Sequence, residues 1–305
     1  MAMVIFGKNS NKIKISTEDK ILYTVVNIIL VLVTIAVLYP LIYIVSSSFS
    51  SGRAITSGRV FLWPVEPTLA GYKTILQYRS VLTGYRNTII YTVCGTLLNV
   101  GLTLTAAYAL SRKRFQGRKI CTILFILTMF FSGGLIPSYI LITQLNLINT
   151  MWAIILPSAI SNYNLIITRT FFMTSIPEEL YEASQIDGCN DFRYFFSIVL
   201  PLSKAIIAVI ALFYGVAHWN SWFRAMLYIR DPNMQPLQLV LRSILIIANV
   251  DVSQINDPEL IEQLQYLVDL MKYSLIVVAT IPVVAVYPLV QRYFIKGVMI
   301  GSLKG

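Results

Sequence analysis

Long runs without Asp, Glu, Lys or Arg constrain this chain more than any other feature. A helix needs about 20 apolar residues to cross the hydrocarbon core of a bilayer. Five runs reach that scale: Ile21 to Phe49, Asn87 to Ser111, Ile120 to Thr168, Ala205 to Phe223 and Tyr273 to Gln291. The third is long enough for two spans, with "QLNLINT" (Gln144 to Thr150) as its polar break. The expectation is an all-α membrane protein with six transmembrane helices. Only 12% of the 305 residues are charged and the mean hydropathy is +0.70. A soluble globular domain carries about a quarter charged residues, so that class is excluded.

The first run follows Lys8, Lys12, Lys14 and Lys20. It exceeds the roughly 7 to 15 apolar residues of a cleaved signal peptide, so it reads as a retained span. The net charge of +10 comes from basic residues beside the apolar runs, a pattern of membrane topology and not of nucleic-acid binding. The N-terminal lysines, the cluster "RKRFQGRK" (Arg112 to Lys119) and the tail residues Arg292, Lys296 and Lys304 are expected in the cytoplasm, with both termini inside. Arg53, Arg59, Lys73, Arg79 and Arg86 in the segment Ser50 to Arg86 argue weakly the other way. The organisation expected is a cytoplasmic segment 1–20, one six-helix domain over 21–292, and a cytoplasmic tail 293–305. Cys94, Cys121 and Cys189 have no CxxC or Cys/His spacing, so they read as free thiols and not as a disulfide or metal framework.

That topology puts Ser175 to Lys204 in the cytoplasm, where "EASQIDGCNDFRYFFSIVLP" (Glu182 to Pro201) is acidic, then glycine-punctuated, then aromatic. Ser175 followed by Glu178 is a capping-box pattern, Pro177 fits a first turn, and Glu178 and Glu179 suit a positive helix N-terminus. Gly188 can end this helix in the left-handed conformation, and Asn190 or Asp191 can cap a second. Phe192, Phe195, Phe196 and Val199 recur at helical spacing and form an apolar stripe. Pro201 then opens the fifth span. The expected unit is a helix, a glycine corner and a helix, with its carboxylates outward.

Here the sequence resembles a known family. Glu182, Ala183 and Ser184, then Gly188, then Ile198, Leu200 and Pro201 match the EAA-x3-G-x9-I-x-LP pattern of the membrane subunits of binding-protein-dependent ABC importers. The one departure is Ser184 in place of the more usual alanine. The ending "YFIKGVMIGSLKG" (Tyr293 to Gly305), "IPEELYEASQIDG" and the Trp219-Asn220 pair look like the sugar-importing branch, particularly its oligosaccharide permeases. The resemblance implies that 175–204 is a coupling loop between spans 4 and 5, seated in a cleft of a cytoplasmic ATPase. The residues it marks are Glu182, Ala183, Ser184, Asp187, Gly188, Ile198, Leu200 and Pro201. It also implies an ATPase dimer, a second homologous permease, an extracytoplasmic solute-binding protein, and a place in the bacterial cytoplasmic membrane. No cofactor is then bound by this chain, ATP and Mg being held by the ATPase.

The chain has no GxxxxGK[ST] loop to cradle phosphates. Ion coupling within a membrane normally requires ionisable residues at depth, yet this chain's apolar runs hold no Asp, Glu, Lys or Arg and His218 is their one candidate proton carrier. Energy must therefore come from another polypeptide, and the subunit is not an enzyme. His218 reads as a hydrogen-bonded histidine near the outer end of a span. Trp219, Asn220 and Trp222 in "HWNSWF" are candidates for sugar contact, since aromatic faces and an amide suit a sugar, although tryptophan also gathers at membrane interfaces. "FSGGLIPSY" (Phe131 to Tyr139) marks a helix irregularity. Phe61 to Thr83 reads as an irregular, partly helical cap, "RDPN" (Arg230 to Asn233) as a turn, and Asp257-Pro258-Glu259 as a helix start. An ABC importer for a non-sugar solute and a secondary transporter are the alternatives.

Overall fold

The structure is a computed structural model that describes residues 16–247, 268, 271–288 and 291. Expectations placed on 1–15, on Asp257-Pro258-Glu259 and on the tail with Arg292, Lys296 and Lys304 lie outside the described residues. Within them, every regular element is helical.

Helix α1 spans Thr17–Ser48, and the Ser16 hydroxyl caps it by accepting from the Glu18 amide at 3.3 Å. Every residue from Thr17 to Ile42 is exposed, so this apolar part of α1 finds no burial among the described residues, whereas Ser46, Ser47 and Ser48 at its end are buried. Helices α2 (Gly52–Thr56) and α3 (Ala70–Gln77) follow, with an irregular stretch between them. The Arg59–Glu66 ion pair, at 3.0 Å, crosses that stretch. The cap expected over 61–83 is therefore present up to Tyr78. Helix α4 (Arg79–Ser111) starts earlier than the apolar run because a helix can extend beyond the membrane.

The expected third and fourth spans are more broken than their charge-free sequence suggests. Helix α5 (Arg118–Phe130) meets α6 (Leu135–Gln144) at a bend of 116° across 131–134, the "FSGG" of the sequence. Gly134 sits there at φ +84°, a conformation that glycine adopts without a Cβ penalty. The polar break at 144–150 is a real loop, with Asn146 and Asn149 left-handed at φ +54° and +62°. A second interruption separates α7 (Trp152–Ile155) and its 3-10 turn Leu156–Ser158 from α8 (Asn162–Ser175). Next come α9 (Glu178–Ile186), α10 (Asp191–Tyr194) with a π turn at Phe195–Val199, and α11 (Leu200–Leu202). The segment Asp191–Leu202 is bent by 81° from α12 (Lys204–Trp219), and α13 (Trp222–Tyr228), α14 (Leu237–Ile247) and α15 (Met271–Pro288) complete the order.

By length and composition α1, α4 and α15 can each cross a membrane, and the two bent pairs raise the number to as many as five. The region 151–168, expected as span 4, is too interrupted to be counted with them.

Helix α4 is the central element and packs on α8, α12 and α14. Its N-terminal half pins the "RDPN" turn: Asn87 Nδ2 donates to the Asn233 and Gln235 carbonyls at 2.7 and 3.1 Å, and Tyr91 Oη donates to Met234 O at 2.8 Å. Its middle repairs the break before α8. Asn99 Nδ2 donates to Ser158 O at 2.9 Å, and the Tyr214 hydroxyl accepts from the Ser161 amide at 2.8 Å while bonding Thr103 Oγ1 at 2.7 Å. An interrupted helix in hydrocarbon persists only where neighbours satisfy its freed backbone groups, and these side chains do so. His218, 2% exposed, bonds Asn99 through Nε2 at 3.1 Å, which matches its reading as a hydrogen-bonded histidine.

That contact needs a glycine opposite it. A Cβ on Gly95 would lie 2.5 Å from His218 Nε2, whereas one on Gly101, also in α4, would meet nothing within 4 Å. Gly95→Ala is therefore expected to destabilise by about 1–3 kcal/mol through overpacking. Gly101→Ala should leave stability unchanged or raise it, because alanine favours the helix. Thermal unfolding of the two variants in detergent checks the contrast.

Candidate functional site: the acidic corner

The corner is built by three local features. Helix α9 begins with Pro177 as its N-cap and no side-chain capping bond. The expected Ser175–Glu178 capping box is therefore not formed: α8 continues through Ser175 itself, which keeps that hydroxyl away from the α9 amides. Glu178 instead accepts an ion pair from Lys113 at 2.6 Å, and this hydrogen bond holds the Glu178 carboxyl below its ordinary range and raises the Lys113 ammonium.

The helix ends at Gly188, φ +71°, as its sequence position predicts. The Gly188 amide donates to Gln185 O at 3.1 Å and the Cys189 amide to Ser184 O at 2.9 Å, the paired bonds of a Schellman stop. Gln185 Nε2 closes the turn on Cys189 O at 2.7 Å. Of the two expected caps for the next helix, Asn190 is used: its Oδ1 accepts from the Arg193 amide at 2.8 Å.

The expected aromatic stripe divides in two. Phe195 and Val199 are buried, whereas Phe192 and Phe196 are 79% and 62% exposed. The π turn at Phe195–Val199 winds wider than an α-helix, so residues four apart align better and the three-apart neighbours fall on another face. Pro201 lies in α11 and not at the start of the straight span, because the chain turns at Ser203 before α12.

The motif residues separate by direction. Ser184 is buried and returns its hydroxyl to Tyr181 O at 2.7 Å, so a serine fits where its surroundings admit only a small side chain. Ile198 and Leu200 pack on the core formed by Leu104, Ala107, Phe172, Tyr194 and Val199. Glu182, Ala183, Asp187, Gly188 and Pro201 are exposed. Ile186, beside them, is 88% exposed, an unusual position for isoleucine in a loop that merely joins two helices.

One residue of the joint escaped the sequence reading. Arg112, counted there only as a topological charge, lies over three tyrosine rings: Tyr108 at 4.6 Å, Tyr194 at 5.1 Å and Tyr181 at 5.3 Å. Its Nε is buried without a hydrogen-bond partner, so ring faces and not acceptors hold that side of the cation. The Tyr181 hydroxyl donates to Asp191 Oδ1 at 2.9 Å and joins both helices of the corner to the cage. Burial, and then that bond, push the Tyr181 phenol upward. The available signal was weak: Tyr108 precedes Arg112 by one helical turn, and Tyr181 and Tyr194 flank the glycine.

The tryptophan candidates are not brought together. Trp219 is 7% exposed, donates Nε1 to Ala279 O at 3.0 Å and packs edge-on against Tyr85. Asn220 donates its amide to Val216 O at 3.0 Å. Trp222 keeps an accessible ring with the Arg242 guanidinium 4.1 Å from its centroid.

Comparison with known proteins decides the family. No family model matches the chain. It is 41% identical over 271 residues to the protein LplC of Bacillus subtilis, covering 87% of this chain and 89% of that one. The polygalacturonan/rhamnogalacturonan transport system permease protein YtcP of Bacillus subtilis is 39% identical over 273 residues, with 87% and 92% covered. A chain in the crystal structure of a bacterial ABC transporter that imports the acidic polysaccharide alginate superposes with a TM-score of 0.83 at 35% identity. That match covers 92% of this chain and 98% of the other. This chain belongs to the ABC transporter permeases.

In this permease the corner therefore joins helices that belong to a transport fold. Gly188 has no atom within 4 Å of a would-be Cβ, so any cost of substitution there is conformational and not steric. Gly188→Val should cost roughly 1–2 kcal/mol and make trypsin cleavage after Arg193 several-fold faster in the detergent-solubilised permease. Gly188→Asn should stay near the native rate, since asparagine tolerates the left-handed region.

Proposed function

We propose that the permease forms half of the path of an ATP-driven importer for a sugar or oligosaccharide, and that the corner 175–204 couples it to a separate ATPase. The observation that carries this reading is the two-sided corner. Its exposed side offers Glu182, Ala183, Asp187 and Ile186, while its buried side is clamped to α4 through Ile198, Leu200 and the tyrosine cage. A stiff element with an unpaired acidic and apolar face and a rigid base can transmit displacement. The chain has no phosphate loop, so ATP and Mg belong to the partner.

The wider assembly follows from the same surfaces. The exposure of α1 from Thr17 to Ile42, and an apolar groove of about 450 Å³ between α4, α12 and α15, leave apolar area that a second homologous permease would cover. The loops pinned to the outer end of α4 are the natural platform for a solute-binding protein. In this arrangement the chain crosses the cytoplasmic membrane six times, with 151–175 as the interrupted fourth span and both termini inside. Alternating access would be a rigid-body movement of the bundle, biased from outside by the binding protein and from inside by ATP.

The sugar class rests on the relatives, among them YtcP and the galactooligosaccharide permease GanQ of Bacillus subtilis, 29% identical. Of the three sugar-contact candidates, Trp222 with its stacked Arg242 keeps the geometry for an aromatic face against a ring, whereas Trp219 is committed to packing. Arg242 has no carboxylate partner among the described residues, so a sugar carrying carboxylates would suit this pair.

Reconstitution with the ATPase, the second permease and the binding protein tests the coupling. Glu182→Lys should assemble normally and lose most sugar uptake, because like charges facing each other at an interface cost several kcal/mol. An acidic residue placed opposite on the ATPase should restore part of it. Normal uptake by Glu182→Lys would remove this carboxylate from the coupling, and uptake without any ATPase would turn the reading into a secondary transporter.

A further inference from the structure

A second polar region lies on the far side of the α4–α5 turn from the corner. A cavity of about 700 Å³ is lined by Arg118 and Lys119 in the first turn of α5, by Arg169 of α8, and by the apolar side chains of Phe115, Ile120 and Ile123. None of the three cations has a carboxylate partner among the described residues. The reason is written in the sequence, which has no Asp or Glu between Glu66 and Glu178. Arg169 spends its Nε on Leu110 O at 3.1 Å, and Arg118 Nη2 donates weakly to the Met173 sulfur at 3.9 Å.

The placement runs against the usual electrostatics of helices. The N-terminus of α5 carries positive partial charge and no capping side chain, and its first turn holds basic residues where acidic ones are favoured. Three cations line one concavity at the N-terminal end of α5, where the Arg118 amide is already bonded to Phe115 O at 3.3 Å, so an anion is the missing charge.

The apolar wall says what kind of anion. Helix α5 buries none of its residues, and Ile120, Ile123, Leu124, Leu127 and Phe130 are 67%, 47%, 56%, 45% and 75% exposed. They form a lane that starts at the cations and runs down the helix. Its rise from Ile120 to Phe130, about 15 Å, matches the ~15 Å of one leaflet's hydrocarbon. A soluble anion would leave that lane unused, and a soluble acidic protein could not follow it into the bilayer.

We propose that Arg118, Lys119 and Arg169 form a headgroup site for an anionic phospholipid whose acyl chains lie along α5. The site rests on the reading that these helices sit in a bilayer, but not on import or on the ATPase. Its bound phosphate would neutralise the turn that also carries Lys113, the partner of Glu178 in the corner.

The test is native mass spectrometry of the detergent-solubilised transporter complex titrated with phosphatidylglycerol, phosphatidylcholine or glycerol 3-phosphate, for the native permease and for Arg118→Gln/Lys119→Gln. Arg169 is left intact because it also holds Leu110. Each basic residue near an anionic headgroup contributes roughly fivefold in affinity, so the variant should retain phosphatidylglycerol about 25-fold more weakly. Phosphatidylcholine binding should be weak and unchanged, and glycerol 3-phosphate should not compete. Equal retention of phosphatidylglycerol by both proteins would overturn the proposal. Full competition by glycerol 3-phosphate would also overturn it, by making this a site for soluble phosphates. Transport enters neither readout, so a failure of the import reading and a failure of this site are told apart.

Discussion

The fold depends on a rule imposed by hydrocarbon: a backbone amide or carbonyl released by a broken helix must find a partner inside the protein. The chain breaks between Leu156 and Ser161, and α4 and α12 supply what the break needs. Asn99 reaches the Ser158 carbonyl and Tyr214 receives the Ser161 amide. This small polar cluster fixes where α8 starts and therefore where α8 delivers its far end, Ser175, to the corner. Moving the break would move the corner.

From that anchored end, the corner is made rigid by unlike means on its two sides. Hydrogen bonds set the angle through the Schellman stop at Gly188 and the Asn190 cap. Stacking sets the attachment, with Arg112 held among Tyr108, Tyr181 and Tyr194. Hydrogen bonds are directional and resist bending, and a cation held between three ring faces is confined from several sides. A joint of that kind fixes the shape of the corner by its hydrogen bonds and its seat on α4 by burial among the rings.

Much of this was legible in the sequence, and the failures have physical causes. The apolar runs announced the long helices, and the spacing from Glu182 to Pro201 announced the corner, because both are local patterns. Gly188 and Asn190 were readable for the same reason: their roles depend on a few consecutive residues. The Ser175 cap was misread because nothing local says that α8 runs on to the last residue before Pro177. The aromatic stripe was misread because a π turn changes the helical period without a compositional mark. The Arg112 cage was invisible because its rings come from three separate helices. Trp219 looked like a ligand platform only until its indole nitrogen was seen bonded to Ala279, sixty positions away in sequence.

The interval from Glu66 to Glu178 contains the whole of α4, α5, α6 and α8 and holds no acidic side chain. A passage wide enough for a hydrated solute is a hazard to a membrane that stores energy as an ion gradient. Leak of protons or sodium is eased by carboxylates that can hold the ion at successive depths. These four helices offer no such foothold, and the arginines at their margins repel cations. A solute path bordered by these helices would offer cations no carboxylate to step between.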